Sequence, residues 1–238
     1  MFTGILSYIL RKNILNVTNN YFWQINAIAQ FTMIFLLLIF LYFKKKKNNG
    51  NTILYYNKLN KDEIIFAILV ILAFGFFSKI YLFLIKYLSE HFKFITFELE
   101  KFNYLNEMIS LKQNFWMFLS VGFFAPIFEE ILIRGYGIKE LKKYFSFKTT
   151  IFITSLLFGI SHLNLVQGIY AFFAGIILGY FYLKYKSITL VIFLHMLNNI
   201  PQIISFSTKF EIFYENLYFL ICMISFFLSI KFYKKIKK

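Results

Sequence analysis

Two adjacent carboxylates interrupt a long apolar stretch of the sequence. Glu129 and Glu130 lie in the run Phe-Phe-Ala-Pro-Ile-Phe-Glu-Glu-Ile-Leu-Ile-Arg-Gly, which covers residues 123–135. An ionised side chain at the centre of a bilayer costs on the order of 2.5–3.5 kcal/mol, so such acids need a partner, a proton, water or a function. Arg134 lies one helical turn after Glu130, and we expect these two to pair. Glu129 is rotated about 100° from Glu130, and we expect it to point into a cavity.

Two of the three histidines also lie in apolar segments. His162 follows the apolar run 152–161, and Phe158 lies one turn before it on the same helical face. His195 lies in the apolar segment 190–197, and Asn199 follows one turn later. A single histidine in such a helix is usually a satisfied structural group. Two histidines and an acid pair on separate helices are harder to explain as structural groups, and such side chains can carry out general acid–base chemistry.

Membrane-spanning helices must position these residues. Of the 238 residues, 59% are hydrophobic and 16% are charged, whereas a soluble domain has about 25% charged residues. Apolar stretches long enough to cross a bilayer recur, so we predict an all-α, polytopic transmembrane bundle of about seven spans. The predicted spans are 21–43, 64–88, 115–134, 147–163, 166–185, 188–204 and 212–230. The fifth contains Gly175 and Gly179 at GxxxG spacing, which predicts close packing against a neighbouring helix.

The distribution of basic residues predicts how the spans are oriented. With the start of the chain outside, the inner segments hold 18 Lys and Arg and the outer segments hold six. Because cytoplasmic loops are rich in Lys and Arg, the C-terminus is predicted to be cytoplasmic. The outer segment 89–114 carries four glutamates and is predicted to be a solvated loop. Residues 1–20 are predicted to form an interfacial helix.

The net charge of +15 indicates which partners to expect. The basic residues lie between and after apolar spans, so they indicate contact with anionic membrane lipids rather than with nucleic acid. Heavy use of Lys, Asn, Ile and Phe is typical of AT-rich bacterial genomes. We therefore expect a multi-pass protein of the bacterial cytoplasmic membrane.

Three polar motifs occur in order on three of the predicted spans. They are Glu129-Glu130-x-x-x-Arg134-Gly135, Phe158-x-x-x-His162 and His195-x-x-x-Asn199. In this order and spacing they resemble the motifs of the CPBP family, which groups type II CAAX prenyl endopeptidases with bacterial Abi proteins, some of them tied to bacteriocin processing or self-immunity. The resemblance covers about residues 115–205 and implies a CAAX-type intramembrane endopeptidase. It divides the chain into an N-terminal region with two spans and an outer loop (1–114), a catalytic CPBP/Abi-like core (115–205), and a last span with a basic cytoplasmic tail (206–238).

The resemblance also implies roles for the site residues. The substrate would be a membrane-associated peptide or protein, and the reaction would be hydrolysis of a peptide bond. Glu129 would be the general base, and His162 would help to orient the attacking water. His195 and Asn199 would donate hydrogen bonds to the developing oxyanion. The supporting residues would be Glu130, Arg134 and Phe158.

Members of this family are often labelled metalloproteases. One Glu and two His with an open position for water are legitimate zinc ligands, and here they would be Glu129, His162 and His195. The HExxH motif of water-soluble zinc peptidases is absent from the sequence. Asn199 also fits an oxyanion donor better than a zinc ligand. We therefore favour a metal-independent glutamate mechanism without a cofactor, with zinc as the alternative.

Three other interpretations stay open at this point. A non-catalytic bacteriocin self-immunity or scaffolding protein on the same fold would bind a partner and would not need Glu129 as a base. A proton-coupled transporter would use Glu129 and the histidines as a relay. Transporters usually show repeated halves, however, and we find no internal repeat. A purely structural interpretation of the acid pair is a charge cluster at the end of a span, anchored among the headgroups by Arg134.

Overall fold

The computed structural model describes residues 21–47, 54–111, 115–205 and 211–236. The structure is 88% helical, and the described residues form eight helices, so the predicted all-α fold is confirmed. The interfacial helix predicted for residues 1–20 lies outside the described part of the chain. The helices are α1 (Phe22–Lys47), α2 (Lys61–Ser89), α3 (Lys93–Leu111), α4 (Phe115–Leu141), α5 (Phe147–Ile160), α6 (Leu165–Tyr185), α7 (Ile188–Ser205) and α8 (Glu211–Ile236).

Within the described ranges, five helices are long and apolar enough to cross a membrane. These are α1, α2, α4, α6 and the Glu215–Lys234 part of α8. The helices at the other two predicted spans, α5 and α7, are apolar but offer shorter apolar segments. Helix α5 has 14 residues, which gives a length of about 21 Å against a hydrocarbon thickness of about 30 Å. Each of the seven predicted spans is therefore a helix, and five of them have full spanning length.

Two groups of contacts mark one end of the bundle. At this end, the Lys44 ammonium lies 3.0 Å from the Tyr136 hydroxyl and 2.9 Å from a Glu140 carboxylate oxygen. An antiparallel bridge between Tyr56 and Ser187 joins the α1–α2 connection to the α6–α7 turn. The end of α1 and the end of α4 therefore lie together. The α1–α2 connection likewise lies beside the α6–α7 turn, as spans of alternating direction require.

The prediction of a solvated loop at residues 89–114 is wrong, because most of this segment forms helix α3. Ile95, Leu99 and Phe102 recur at helical spacing and are half-buried. The glutamates that suggested a loop do not all face solvent, since Glu98 is only 9% exposed. The helix is therefore amphipathic, and one of its acids is turned towards the bundle.

Glycines allow α5 and α6 to pack closely. A Cβ at Gly159 would lie 2.6 Å from the backbone oxygen of Gly168, so the two backbones meet directly. A Cβ at Gly175 would lie 3.0 Å from the Cβ of Ser155. The close packing predicted from the GxxxG spacing is thus confirmed, and it continues along α6 beyond the two predicted glycines.

A hydrophobic core lies between α4, α6 and α7. Leu178 and Tyr182 of α6 pack in this core with Val191 and Leu194 of α7 and with Ile138 of α4. All five residues are almost fully buried. The core fixes the three helices against one another, and α4 and α7 carry five of the seven predicted site residues.

Candidate active site

The acid pair Glu129–Glu130 lies in an irregular part of α4. A short α-helical stretch carries the pair, and it is flanked by two π-helical segments, Phe118–Phe124 and Ile131–Gly137. In the first of them, the N–H of Ala125 donates to the carbonyl of Ser120, five residues earlier. Such wide turns occur frequently at functional sites. They rotate the following side chains relative to a regular α-helix, so the directions of the acids differ from those of an ideal repeat.

Glu130 and Arg134 form the predicted ion pair. Nη1 of Arg134 donates to Oε1 of Glu130 at 2.7 Å, and both side chains are fully buried. Nη2 of Arg134 also donates to the carbonyl oxygen of Gly175 on α6 at 3.3 Å. A buried ion pair needs such further hydrogen bonds to offset the loss of hydration. The complete burial argues against a cluster anchored among headgroups, which would leave Arg134 near the surface.

His195 of α7 stands between the two carboxylates of α4. Its Nδ1 lies 2.8 Å from Oε1 of Glu130, and its Nε2 lies 3.9 Å from Oε2 of Glu129. Glu129 is 5% exposed and His195 is 6% exposed. The bond at Nδ1 fixes the orientation of the ring and directs Nε2 towards Glu129. The contact between His195 and Glu130 was not predicted from the sequence.

Phe158 of α5 is the common neighbour of three site residues. The Arg134 guanidinium carbon lies 4.7 Å from the centre of the Phe158 ring. The rings of His162 and His195 approach Phe158 edge-on, with centroid distances of 4.9 Å and 5.8 Å. Phe158 is itself only 2% exposed. One aromatic ring therefore brings the three motifs together.

His162 lies in the turn that follows α5. Its Nδ1 is 2.8 Å from the carbonyl oxygen of Phe158, one turn earlier. Because a carbonyl oxygen only accepts, Nδ1 carries the proton in the neutral ring and Nε2 is left as an acceptor. The side chain is half-buried. The structure thus places His162 beside Phe158, at the margin of the cluster formed by Glu129, Glu130 and His195.

Asn199 contacts α4 through a carbonyl that the helix does not use. Nδ2 of Asn199 donates to the backbone oxygen of Val121 at 3.2 Å. In the register set by the bond from Ala125 to Ser120, the next donor would be the N–H of Pro126. Proline has no N–H, so the Val121 carbonyl is left for Asn199. The amide of Asn199 retains a second N–H for another acceptor.

Two further polar residues extend the site beyond the predicted set. The Tyr170 hydroxyl of α6 donates to Oδ1 of Asn198 at 2.7 Å, and Nδ2 of Asn198 lies 3.3 Å from Oδ1 of Asn199. Asn198 was missed because the motif considered was His195-x-x-x-Asn199, in which position 198 is not specified. A tandem Asn-Asn inside an apolar helix was the signal that could have identified it.

A zinc ion would need its protein ligands gathered around one point. No group of three His, Cys, Asp or Glu side chains within the described ranges is arranged to hold a metal ion. That statement covers the proposed zinc set Glu129, His162 and His195. Nδ1 of His162 and Nδ1 of His195 are each bonded to a protein oxygen, so Nε2 is the ring nitrogen that each histidine could offer to water, to a substrate or to a metal ion.

Comparison with known proteins gives one match. Residues 111–201 match the family described as type II CAAX prenyl endopeptidase Rce1-like. Neither the curated proteins nor the solved structures gave a match. The matched residues nearly coincide with the predicted core 115–205, and they include all seven predicted site residues. The resemblance inferred from the three motifs is therefore confirmed.

Proposed function

We propose, from the premise that residues 111–201 carry an Rce1-like type II CAAX prenyl endopeptidase core, that this protein hydrolyses a peptide bond within the membrane. Its substrate is a membrane-associated peptide or protein that enters the bundle from the lipid. The multi-pass architecture is consistent with residence in a bacterial cytoplasmic membrane. Lipids are then the permanent surroundings, and the peptide is the transient partner.

One observation carries the proposal: a buried carboxylate and a buried imidazole nitrogen face each other. Oε2 of Glu129 and Nε2 of His195 are 3.9 Å apart, which is too far for a direct hydrogen bond. A single water at hydrogen-bond distance from both atoms fits this separation. Hydrolysis needs such a water beside a base.

Glu129 acts as the general base in the proposed reaction. Its carboxylate accepts a proton from water while the water oxygen forms a bond to the carbonyl carbon of the peptide. The C–N bond then breaks, and the proton held by Glu129 passes to the leaving nitrogen. His162 assists in orienting the water. The reaction consumes the peptide and one water, and Glu129 returns to its ionised form at the end.

His195 and Asn199 stabilise the oxyanion in this mechanism. Since the Nδ1–H of His195 is given to Glu130, Nε2 donates a hydrogen bond when the ring is an imidazolium. Asn199 donates through its second amide N–H, because the first is held by Val121. One such donor is typically worth about 2.7–4 kcal/mol of barrier.

The supporting residues keep these groups in place. Arg134 balances the charge of Glu130, and Glu130 in turn holds the His195 ring. Phe158 contacts Arg134 and both histidine rings. Preorganised contacts of this kind remove the need for reorganisation during the reaction.

Peptide cleavage in vesicles tests the proposal. The purified protein is reconstituted in anionic lipid vesicles with an internally quenched peptide that has one membrane-inserted segment. We expect Glu129→Gln to lower kcat by about 100-fold or more, the usual range for loss of a general base. The matched control is Glu90→Gln, which removes the same charge from an exposed position and leaves the rate unchanged.

The outcomes separate the competing functions. Cleavage by Glu129→Gln at the wild-type rate refutes the proposed base. Loss of activity on chelation, restored by zinc, supports the metal mechanism instead. Tight binding of the peptide without cleavage by the wild type favours an immunity or scaffolding protein.

A further inference from the structure

The turn that carries His162 has an unusual backbone conformation. Helix α5 ends at Ile160 and α6 begins at Leu165, so His162 lies in a turn of four residues. Within it, Leu163 has a φ of +56°, in the left-handed region that side chains other than glycine rarely adopt. The Leu163 side chain is 51% exposed and makes little packing that would hold this conformation. The N–H groups of His162 and Leu163 donate to carbonyls at the end of α5, and contacts from another helix add to these bonds.

Those contacts come from α3, and Glu98 is the main one. Oε2 of Glu98 accepts the backbone N–H of Leu165 at 2.7 Å and the side-chain amide of Asn164 at 3.1 Å. The same amide also donates to the Glu98 carbonyl oxygen at 2.9 Å. Lys101, one turn later on α3, donates to the carbonyl oxygen of Leu163 at 2.8 Å. The α3 helix thus binds the last two residues of the turn and the first residue of α6, immediately after His162.

Glu98 is placed as an acceptor of helix-terminal N–H groups. It is largely buried, at 9% exposure, and it faces the first residue of α6, where N–H groups have no partner within the helix. Asn164 caps the same helix by accepting the N–H of Gln167 at 2.9 Å. Glu98 and Asn164 together fix the start of α6. The short turn between α5 and α6 then fixes the end of α5 as well.

We infer that Glu98 is a positioning residue for His162, and that α3 clamps the turn carrying this histidine. The inference rests on the proposed function, and it assigns a role in catalysis to Glu98, which lies before the matched residues 111–201. His162 is tied to the Phe158 carbonyl through Nδ1, so the direction of its Nε2 follows the backbone of the turn. Release of the turn moves the ring away from the water that it orients.

The test compares Glu98→Ala, Glu98→Gln and the control Glu100→Gln in the full chain. Glu100 lies two residues away on the same helix and is exposed. Cleavage is measured with the quenched peptide in vesicles. We expect Glu98→Ala to lower kcat by up to about 100-fold, the effect of a displacement of about 1 Å at a reacting group, with little change in KM. Glu98→Gln retains one acceptor oxygen and restores part of kcat, and Glu100→Gln behaves as wild type.

A second readout does not depend on peptidase activity. The chain has three histidines, so nuclear magnetic resonance of histidine-labelled protein in nanodiscs gives three imidazole signals. They are assigned by single His→Gln variants. We expect Glu98→Ala to shift the His162 signal and to leave His195 unchanged. Lys101→Met, an exposed change that does not threaten folding, produces a smaller shift of the same signal.

The two readouts distinguish failure of the inference from failure of the proposed function. If Glu98→Ala and Lys101→Met fold and leave both kcat and the His162 signal unchanged, the clamp is refuted. If the wild type cleaves nothing but the His162 signal shifts as expected, the clamp is retained and the peptidase proposal fails. If Glu98→Ala does not fold, Lys101→Met decides by the same two measurements.

Discussion

Replacing Arg134 by methionine removes the cation from a fully buried ion pair and keeps much of the apolar stem. Arg134 and Glu130 are each 0% exposed. The guanidinium also contacts the Gly175 carbonyl at 3.3 Å and lies 4.7 Å from the centre of the Phe158 ring. Removal of one partner leaves the other charge buried, which costs about 3–5 kcal/mol. We therefore expect Arg134→Met to lower the free energy of unfolding by about this amount.

The double variant Arg134→Met with Glu130→Gln removes both charges and keeps an acceptor for His195. Replacement of both members of a buried pair is often close to neutral, so we expect a loss within about 2 kcal/mol of wild type. Reversible unfolding in mixed detergent micelles, followed by tryptophan fluorescence, measures both variants. The reasoning is refuted if the single variant loses less than about 1 kcal/mol, the range of an exposed pair. It is also refuted if the double variant is as unstable as the single one.

Two further substitutions test the close packing and the irregular helix. Gly159→Ala places a Cβ 2.6 Å from a carbonyl oxygen of α6, whereas the nearest atom to a Cβ at Gly137 is 3.4 Å away. We expect Gly159→Ala to destabilise the protein by about 1–3 kcal/mol in the same unfolding assay. Gly137→Ala is expected to change stability little. Equal effects of the two substitutions would contradict the packing described here. Pro126→Ala supplies an N–H that competes with Asn199 for the Val121 carbonyl, and we expect kcat in the vesicle assay to fall by up to about 100-fold while the protein stays folded. An unchanged kcat in folded Pro126→Ala would show that proline does not reserve that carbonyl for Asn199.

Contacts between residues one helical turn apart could be predicted because the helical repeat fixes their spacing. Glu130 and Arg134 are separated by one turn, as are Phe158 and His162, so their proximity follows from residue spacing alone. The large cost of charge in a bilayer also identified which polar residues matter. These two arguments selected the candidate site residues, and the recurring apolar stretches predicted the class of fold.

Contacts between particular polar side chains of different helices could not be predicted, because they depend on the rotation of each helix about its axis. The contact between His195 and Glu130 joins residues 65 positions apart, and the π-helical segments of α4 alter the direction of the acids. The contact of Asn199 with Val121 depends on the same local register. Helix α3 was missed because its glutamates were counted as solvated, whereas Glu98 is used inside the protein to accept N–H groups of α6.

Isotope transfer from solvent tests the central claim, that Glu129 activates a water rather than attacking the substrate itself. The wild-type protein, in excess over a membrane peptide, cleaves it once in water enriched in oxygen-18, and mass spectrometry examines the product and the segment of the protein that contains Glu129. We predict one heavy oxygen in the new carboxyl group of the product and none in Glu129. Heavy oxygen in Glu129, with an unlabelled product, would contradict this prediction.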